Sequence, residues 1–411
     1  MNTTSPTIRP GRGPLHGIRV LDMTRVLSGP FCSMILGDLG AEIIKIEETV
    51  KGDSSRAVAP FANGASPVSH MDLTINRNKK SVAVDARTPK GRKIILDLAE
   101  HCDVLLENFR PDVMDRLGLS DEALREVNPR LIHCSVTGFG RGNALSEKPS
   151  FDIIAQAMSG TMTTNGEPGG PPLKLGVSLG DLGAGMWAAI GVLAALQQRA
   201  GDDRGSSIDV SMLDSLMALQ GQAASHYFVS GVSPPRIGNN SQSVVPYGMF
   251  PVQDGHIILA LHIGSFWRKF CEAVGHLEWI SDPRFVNATA RRHNREVLEA
   301  TMGEVLRTKT AVEWARILDA ADIPSSAVLD VGEALAQPIV KERKLVRSYE
   351  HPMAGTVRVV GSPLKFDGGF EDDTVMHAPL LGEHTTEVLV GLLRYTQQQL
   401  DQLKADGVIV T

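Results

Sequence analysis

The feature that most constrains this chain is a regular alternation of short apolar strands and helices through its first half. Ile18 to Leu21, Ala41 to Ile46, Ser81 to Asp85, Val104 to Leu106 and Leu131 to Val136 read as strands. Between them, Phe31 to Leu39 reads as a short helix, and Thr88 caps a helix that starts at Pro89 and ends near His101. Ser120 caps another, which must stop before Pro129. Strands separated by helices of about ten residues are the pattern of parallel βαβ units. The expected fold is a doubly wound α/β domain, with its ligand crevice at the carboxyl ends of the strands.

The pattern changes after a helix expected from about Leu213 to Val229. Gly231 to Pro246 is rich in Gly, Pro, Asn and Ser and reads as a loop. Met249 to Gln253 and His256 to Ala260 flank Asp254-Gly255, a pair suited to a two-residue hairpin turn. Helices over Ser265 to Val274, Arg291 to Leu306 and Thr310 to Ala321 follow, the last opening with a capping box of Thr310 and Glu313. These elements suit a smaller α+β domain. Strand signals return at Val357 to Val360, with further helices after His384. At 411 residues there is room for two or three domains with real cores.

Composition removes several function classes. A formal charge of −6 over this length argues against a nucleic-acid protein, which would carry a basic stripe. Cys32, Cys102, Cys134 and Cys271 contain no C-x-x-C, which excludes a disulfide scaffold and a thiolate zinc site and suits the cytoplasm. The 12 histidines include no H-E-x-x-H, so no metal site is expected. Met1 to Gly17 is polar and lacks the apolar core of a secretory signal. The uncharged stretch from Leu182 to Leu196 is shorter than the roughly 20 residues a membrane helix needs, and reads as a buried helix.

Four places could carry chemistry. The turn from Thr24 to Pro30 imitates a dinucleotide site but lacks G-x-G-x-x-G, so a dehydrogenase is disfavoured while a helix start remains for a ligand. Arg77, Lys79 and Lys80 form a basic cluster, either a solvated face or an attractor of phosphate. Gly176-Val177-Ser178-Leu179-Gly180 matches G-x-S-x-G, the nucleophile elbow of serine hydrolases, for which Asp330 and His384 could be nominated. Asp181 follows at the start of the apolar helix. It reads as a helix cap, or as a nucleophile already ionised at neutral pH and able to attack an acyl group without a base.

The ordered motifs resemble the family III CoA-transferases, the formyl-CoA transferase and carnitine CoA-transferase group. They include Leu21 to Pro30, Gly37 to Ala41, Lys45-Ile46-Glu47, Asn76 to Ser81, Glu107-Asn108-Phe109, Gln156 to Gly160, Gly180-Asp181, Pro246-Tyr247 and Pro379 to Thr385. The resemblance implies that Asp181 is the catalytic nucleophile. It implies CoA contacts at Val26, Leu27, Ser28, Val84, Arg87, Asn108, Phe109, Arg110 and Arg116, with no metal and no permanently bound cofactor. CoA thioester would be a substrate, with a carboxylic acid as partner. The implied architecture is a Rossmann-like large domain built from both termini (1–230 and 336–411), a small α+β domain (231–335), and an interlocked homodimer.

Three positions depart from the formyl-CoA transferases. Glu48 stands where they carry an arginine, Leu27 where they carry a glutamine, and the loop at 231–247 lacks their run of glycines. The motifs look more like those of succinyl-CoA:dicarboxylate members such as the glutarate enzymes. The same fold hosts α-methylacyl-CoA racemases, whose His-Asp pair here reads Phe151-Asp152, and phenylalanine cannot shuttle a proton. Asp152 could shape the site, while Arg25 and Arg77 could steer an anion or serve structural ion pairs. A CoA-binding protein without catalysis is the non-enzyme alternative.

Overall fold

The computed structural model describes residues 13–62, 68–367 and 375–411. The rest, including 1–12 of the polar amino-terminal stretch, lie outside the described residues. The chain divides into two compact units, one of residues 1–161, 174–232 and 339–411, the other of 162–173 and 233–338.

The larger unit is built on a seven-stranded sheet. Its strands are β1 (Arg19–Asp22), β2 (Glu42–Glu47), β3 (Lys79–Val84), β4 (Val104–Glu107), β5 (Ile132–Thr137), β6 (Ser207–Ser211) and β7 (Ile409–Val410). They lie in the order β7-β3-β2-β1-β4-β5-β6. All neighbours are parallel except β7, which runs antiparallel to β3 with Ile409 opposite Val84. The parallel part has the order of the doubly wound dinucleotide folds, in which the chain reverses direction across the sheet between β1 and β4.

Alternation within each strand sends side chains to two cores, one on each face. Leu21, Ile44 and Leu105 join one, with Ile94, Ile95 and Leu98 of the helix Pro89–Glu100. Val20, Ile43 and Val104 join the other, with Cys32 and Leu36 of helix α1 (Ser28–Asp38). Thr88 caps Pro89–Glu100 by accepting the Gly91 N–H, and Ser120 caps Asp121–Val127 by accepting the Ala123 N–H.

Helix α2 (Asp152–Met158) precedes α3 (Leu179–Asp202). At 24 residues α3 outruns its uncharged stretch and is long and apolar enough to cross a membrane. Yet Gly183, Ala184, Gly185, Ala188, Ala189 and Val192 are buried, most of them in the α1-side core. Small residues make that packing close: a Cβ at Gly185 would meet the Ser28 carbonyl oxygen at 2.6 Å. The helix expected over 213–229 is two helices, Met212–Leu219 and Gly221–Ser230, meeting at Gln220, whose side chain donates to the Ser159 carbonyl.

In the smaller unit, Tyr247–Val252 and Gly255–Ala260 form the expected hairpin, and Ser325–Ala327 pairs with the second strand. Its core gathers Trp267, Phe270, Phe285 and Trp314. The capping box of Thr310 and Glu313 forms. The helix expected over 291–306 is two helices, Ala288–His293 and Arg295–Leu306, meeting at Asn294, whose side chain donates to the Arg284 and Ala290 carbonyls.

Candidate active site

A cavity of about 260 Å³ opens at the carboxyl ends of β1, β4 and β5. The reversal of direction between β1 and β4 leaves a crevice there, because the crossovers leave in opposite directions. Val26, Leu27 and Ser28 reach it from the end of β1, and Asn108, Phe109 and Arg110 from the end of β4. Asp181 enters it from the first turn of α3. Seven of the ten residues singled out by resemblance therefore share one cavity. Three do not line it. Val84 is buried at the end of β3, Arg87 is exposed beside Asp85, and Arg116 is exposed beside Asp112.

Asp181 is not the cap of α3. Ser178 occupies that position without a side-chain hydrogen bond, and Asp181 lies three residues on. The capping carboxylate comes from Asp152, whose Oδ1 accepts the Gly180 N–H at 2.7 Å. Its Oδ2 accepts from Gln156 Nε2 at 2.7 Å, and Gln156 Oε1 accepts the Leu175 N–H at 2.8 Å. Glycine at 180 is required by that approach, since a Cβ there would lie 2.9 Å from Asp152 Oδ1. The Gly180 amide, one of the free N–H groups expected at the helix start, is thus already used.

The Asp181 carboxylate is left without a hydrogen bond from the described residues. Burial, and secondarily the charge of Asp152, push its carboxyl up to about 7. This corrects the expectation of an ordinary, fully ionised aspartate: in the ligand-free protein the neutral and charged forms coexist near neutral pH.

The turn after β1 is strained. Val26 has φ +66°, a conformation that a β-branched residue adopts at a cost of about 1–3 kcal/mol. Each residue before it is clamped. Asp22 accepts the Thr24 N–H at 2.9 Å, and the Thr24 carbonyl accepts from Lys45 Nζ at 2.8 Å. Asn108 accepts the Arg25 N–H and donates to the Arg25 carbonyl, each at 2.8 Å. The Val26 N–H goes to Asp53 Oδ1 at 3.0 Å.

These clamps are charged and buried. Lys45 Nζ lies 2.9 Å from Asp53 Oδ2, and Lys79 Nζ 3.2 Å from Asp22 Oδ2, all four side chains being almost wholly enclosed. Burial alone would raise the Asp53 carboxyl, but Lys45 and the N–H groups of Ser55 and Val26 outweigh it and hold it at about 2. For Lys79, burial outweighs Asp22 and brings the ammonium down to about 8.

The remaining sequence candidates separate cleanly. The Arg25 guanidinium sits 5.2 Å from the centre of the Phe109 ring. Arg77 is buried and paired with Asp38 at 2.5 Å, the structural ion pair rather than a free cation. Lys80 is tied to Glu42 and Glu387, each at 2.8 Å. Asp330 caps its own helix, Val331–Ala336, and no histidine bonds Ser178 among the described residues. Lys148 and Phe151 line the cavity, and sequence reading proposed no ligand contact for either. They lie in the long segment between β5 and α3, where no periodicity points to them.

A larger cavity of about 590 Å³ is lined by Arg19, Asp38, Glu42, Arg77 and Lys80. Those five charges are paired with one another, and His16 and Arg347 line it as well. Among the described residues no cluster of three or more His, Cys, Asp or Glu could hold a metal.

Residues 15–385 match the model of CoA-transferase family III. The human succinyl-CoA:glutarate CoA-transferase is 34% identical over 396 residues, covering 96% of this chain and 90% of the relative. An acetyl-CoA:oxalate CoA-transferase of Acetobacter aceti is 36% identical over 384 residues, covering 93% of this chain and 96% of the relative. The crystal structure of a CAIB/BAIF family protein from Brucella suis superposes with a TM-score of 0.84 at 31% identity, covering 93% of this chain and all of that one.

Proposed function

This chain belongs to CoA-transferase family III and is an enzyme of that family; on that premise we propose that Asp181 carries CoA from an acyl-CoA donor to a dicarboxylic acid. One observation carries the reading. A half-buried carboxylate with no hydrogen-bond partner among the described residues faces the same cavity as the ends of β1 and β4.

An Asp181 oxygen attacks the thioester carbonyl, the C–S bond breaks, and CoA leaves as thiolate from a mixed anhydride. The thiolate attacks the aspartyl carbonyl and expels the donor acid, leaving an aspartyl-CoA thioester. An acceptor carboxylate attacks that thioester and releases the thiolate again. The thiolate then attacks the acyl carbonyl of the second anhydride, frees Asp181 and departs as the new acyl-CoA. Every step exchanges a carboxylate and a thiolate, so no proton moves once Asp181 is ionised. Enclosure protects both intermediates from water.

Val26, Leu27, Ser28, Asn108, Phe109 and Arg110 would contact CoA within the cavity. Val84 and Arg87 at the end of β3 and Arg116 beyond β4 would meet its outer parts along the same sheet edge. Relatives named for glutarate and oxalate support a dicarboxylate acceptor, and the first supports succinyl-CoA as donor. Exposed Trp187, Ile190 and Leu193 on α3, with Phe228 and Val229 on Gly221–Ser230, support the proposed interlocked homodimer.

The test is trapping. After incubation with succinyl-CoA, borohydride or hydroxylamine should modify the peptide containing Asp181, and a carboxylate panel including glutarate and oxalate should yield new thioesters. Modification at Ser178 would move the assignment to a hydrolase. Exchange of the α-proton with solvent and no CoA transfer would move it to a racemase.

A further inference from the structure

The strained turn and the buried ions beneath it belong together. Val26 holds a left-handed backbone in the middle of the cavity wall, and such a conformation persists only where its surroundings enforce it. The side chain that bonds its amide is Asp53, almost wholly buried, charged, and touching no part of the cavity. Asp53 is itself fixed three ways. Lys45 sits on one oxygen, the Ser55 N–H shares the other at 3.0 Å, and its own N–H is taken by Glu47 Oε1 at 3.0 Å. Glu47 is in turn gripped by Arg56 at 2.7 Å and by the Ser81 hydroxyl, and Arg56 also donates to the Pro379 carbonyl. Lys45 and Glu47 thus hold Asp53 directly, by its carboxylate and its N–H, and Pro379 is linked to it through Arg56 and Glu47, none of them lining the cavity.

We propose that Asp53 is a positioning residue for the CoA thioester. By holding the Val26 amide it keeps residues 26–28 in the shape that receives CoA. The inference rests on the reading that this cavity takes CoA. Without the acceptor at 53, Val26 relaxes towards negative φ, and the wall from Val26 to Ser28 shifts with it. Glycine adopts φ +66° freely, so a chain with Val26→Gly no longer needs the clamp.

The experiment is a double-mutant cycle read by calorimetric titration of free CoA into the full chain. Asp53→Ala, which removes the acceptor, is expected to weaken CoA binding about tenfold when Val26 is present, and by less than about twofold in the Val26→Gly background. Asp53→Ala leaves Lys45 buried without its ion-pair partner, so Lys45→Met combined with Asp53→Leu, which removes both charges, is run through the same cycle. The same difference between the two backgrounds is expected of it, on top of a loss common to both from the Thr24 bond that Lys45 also makes. Equal losses in both backgrounds overturn the inference, because Asp53 would then act by some route other than Val26. No loss with Val26 present overturns it as well. A wild-type chain that does not bind CoA overturns the functional reading together with the inference, so the two failures are distinguishable.

Discussion

Asp152 serves Asp181 twice: it caps the helix that carries it, through the 2.7 Å bond from the Gly180 N–H, and it adds to burial in raising the Asp181 carboxyl. One carboxylate fixes the other's place and hinders its ionisation. The arrangement leaves the Asp181 carboxyl poised between its two forms near neutral pH.

The rate of acylation by the donor should therefore follow ionisation of Asp181. Its kcat/KM for acyl-CoA is expected to rise through about pH 7 and level off above it. Asp152→Asn removes the secondary cause and should move the inflection to lower pH. Burial, the larger cause, should keep it above the ordinary aspartate range. A pH profile unchanged by this substitution would show that the Asp152 charge does not reach Asp181.

Stability should carry the opposite mark. Asp181 holds its proton to higher pH when folded than when unfolded, since its carboxyl stands at about 7 against 3.8. Folding stability is thus lost as pH climbs from about 4 to 7, and the loss persists above that range. Asp181→Asn should be more stable than wild type above pH 7 by about 1–3 kcal/mol, with the advantage vanishing below pH 4. Denaturant titrations at two pH values measure it, and the same variant should lose all transfer activity.

Two of the glycines of α3, Gly180 and Gly185, should differ in severity. At Gly185 a methyl meets backbone, the Ser28 carbonyl at 2.6 Å, so Gly185→Ala must push α3 off the turn after β1. A loss of about 2–3 kcal/mol and most of the CoA affinity is expected. At Gly180 the obstacle is the Asp152 side chain at 2.9 Å, which can swing aside. Gly180→Ala should be milder in melting temperature, yet should lower the pH of the acylation inflection.

Arg77 provides the control. It is buried against Asp38 and donates to the Thr74 carbonyl at 2.8 Å. Arg77→Ala should destabilise by about 3 kcal/mol, yet leave the CoA dissociation constant of the folded protein unchanged. A weakened CoA affinity would restore a steering role to this arginine.

The sheet was legible because parallel strands buried on both faces show as apolar runs between capped helices. Thr88, Ser120 and Thr310 cap as their types and spacing require. Two helices break at Gln220 and Asn294, whose side chains donate to the Ser159 and Arg284 carbonyls, partners well removed in the chain. Gly180-Asp181 stood out in the sequence and Asp152 was a candidate for shaping the site, but its bond to the Gly180 N–H was not legible, because it joins residues a loop apart. The basic cluster at Arg77, Lys79 and Lys80 looked alike residue by residue. Only packing shows that Lys79 serves Asp22, Arg77 serves Asp38, and Lys80 bridges Glu42 and Glu387. The left-handed Val26 had no signal at all, valine being a poor guess for such a turn.

The antiparallel strand β7 sets an order of events during synthesis. Strand β3 leaves the ribosome long before Ile409 and Val410, which close its outer edge. Through that interval the nascent chain presents an unpaired strand border to its neighbours, the surface on which intermolecular sheets begin. Until residue 410 has been made, the border of β3 at Ala83 and Val84 lacks the strand that pairs with it in the finished fold.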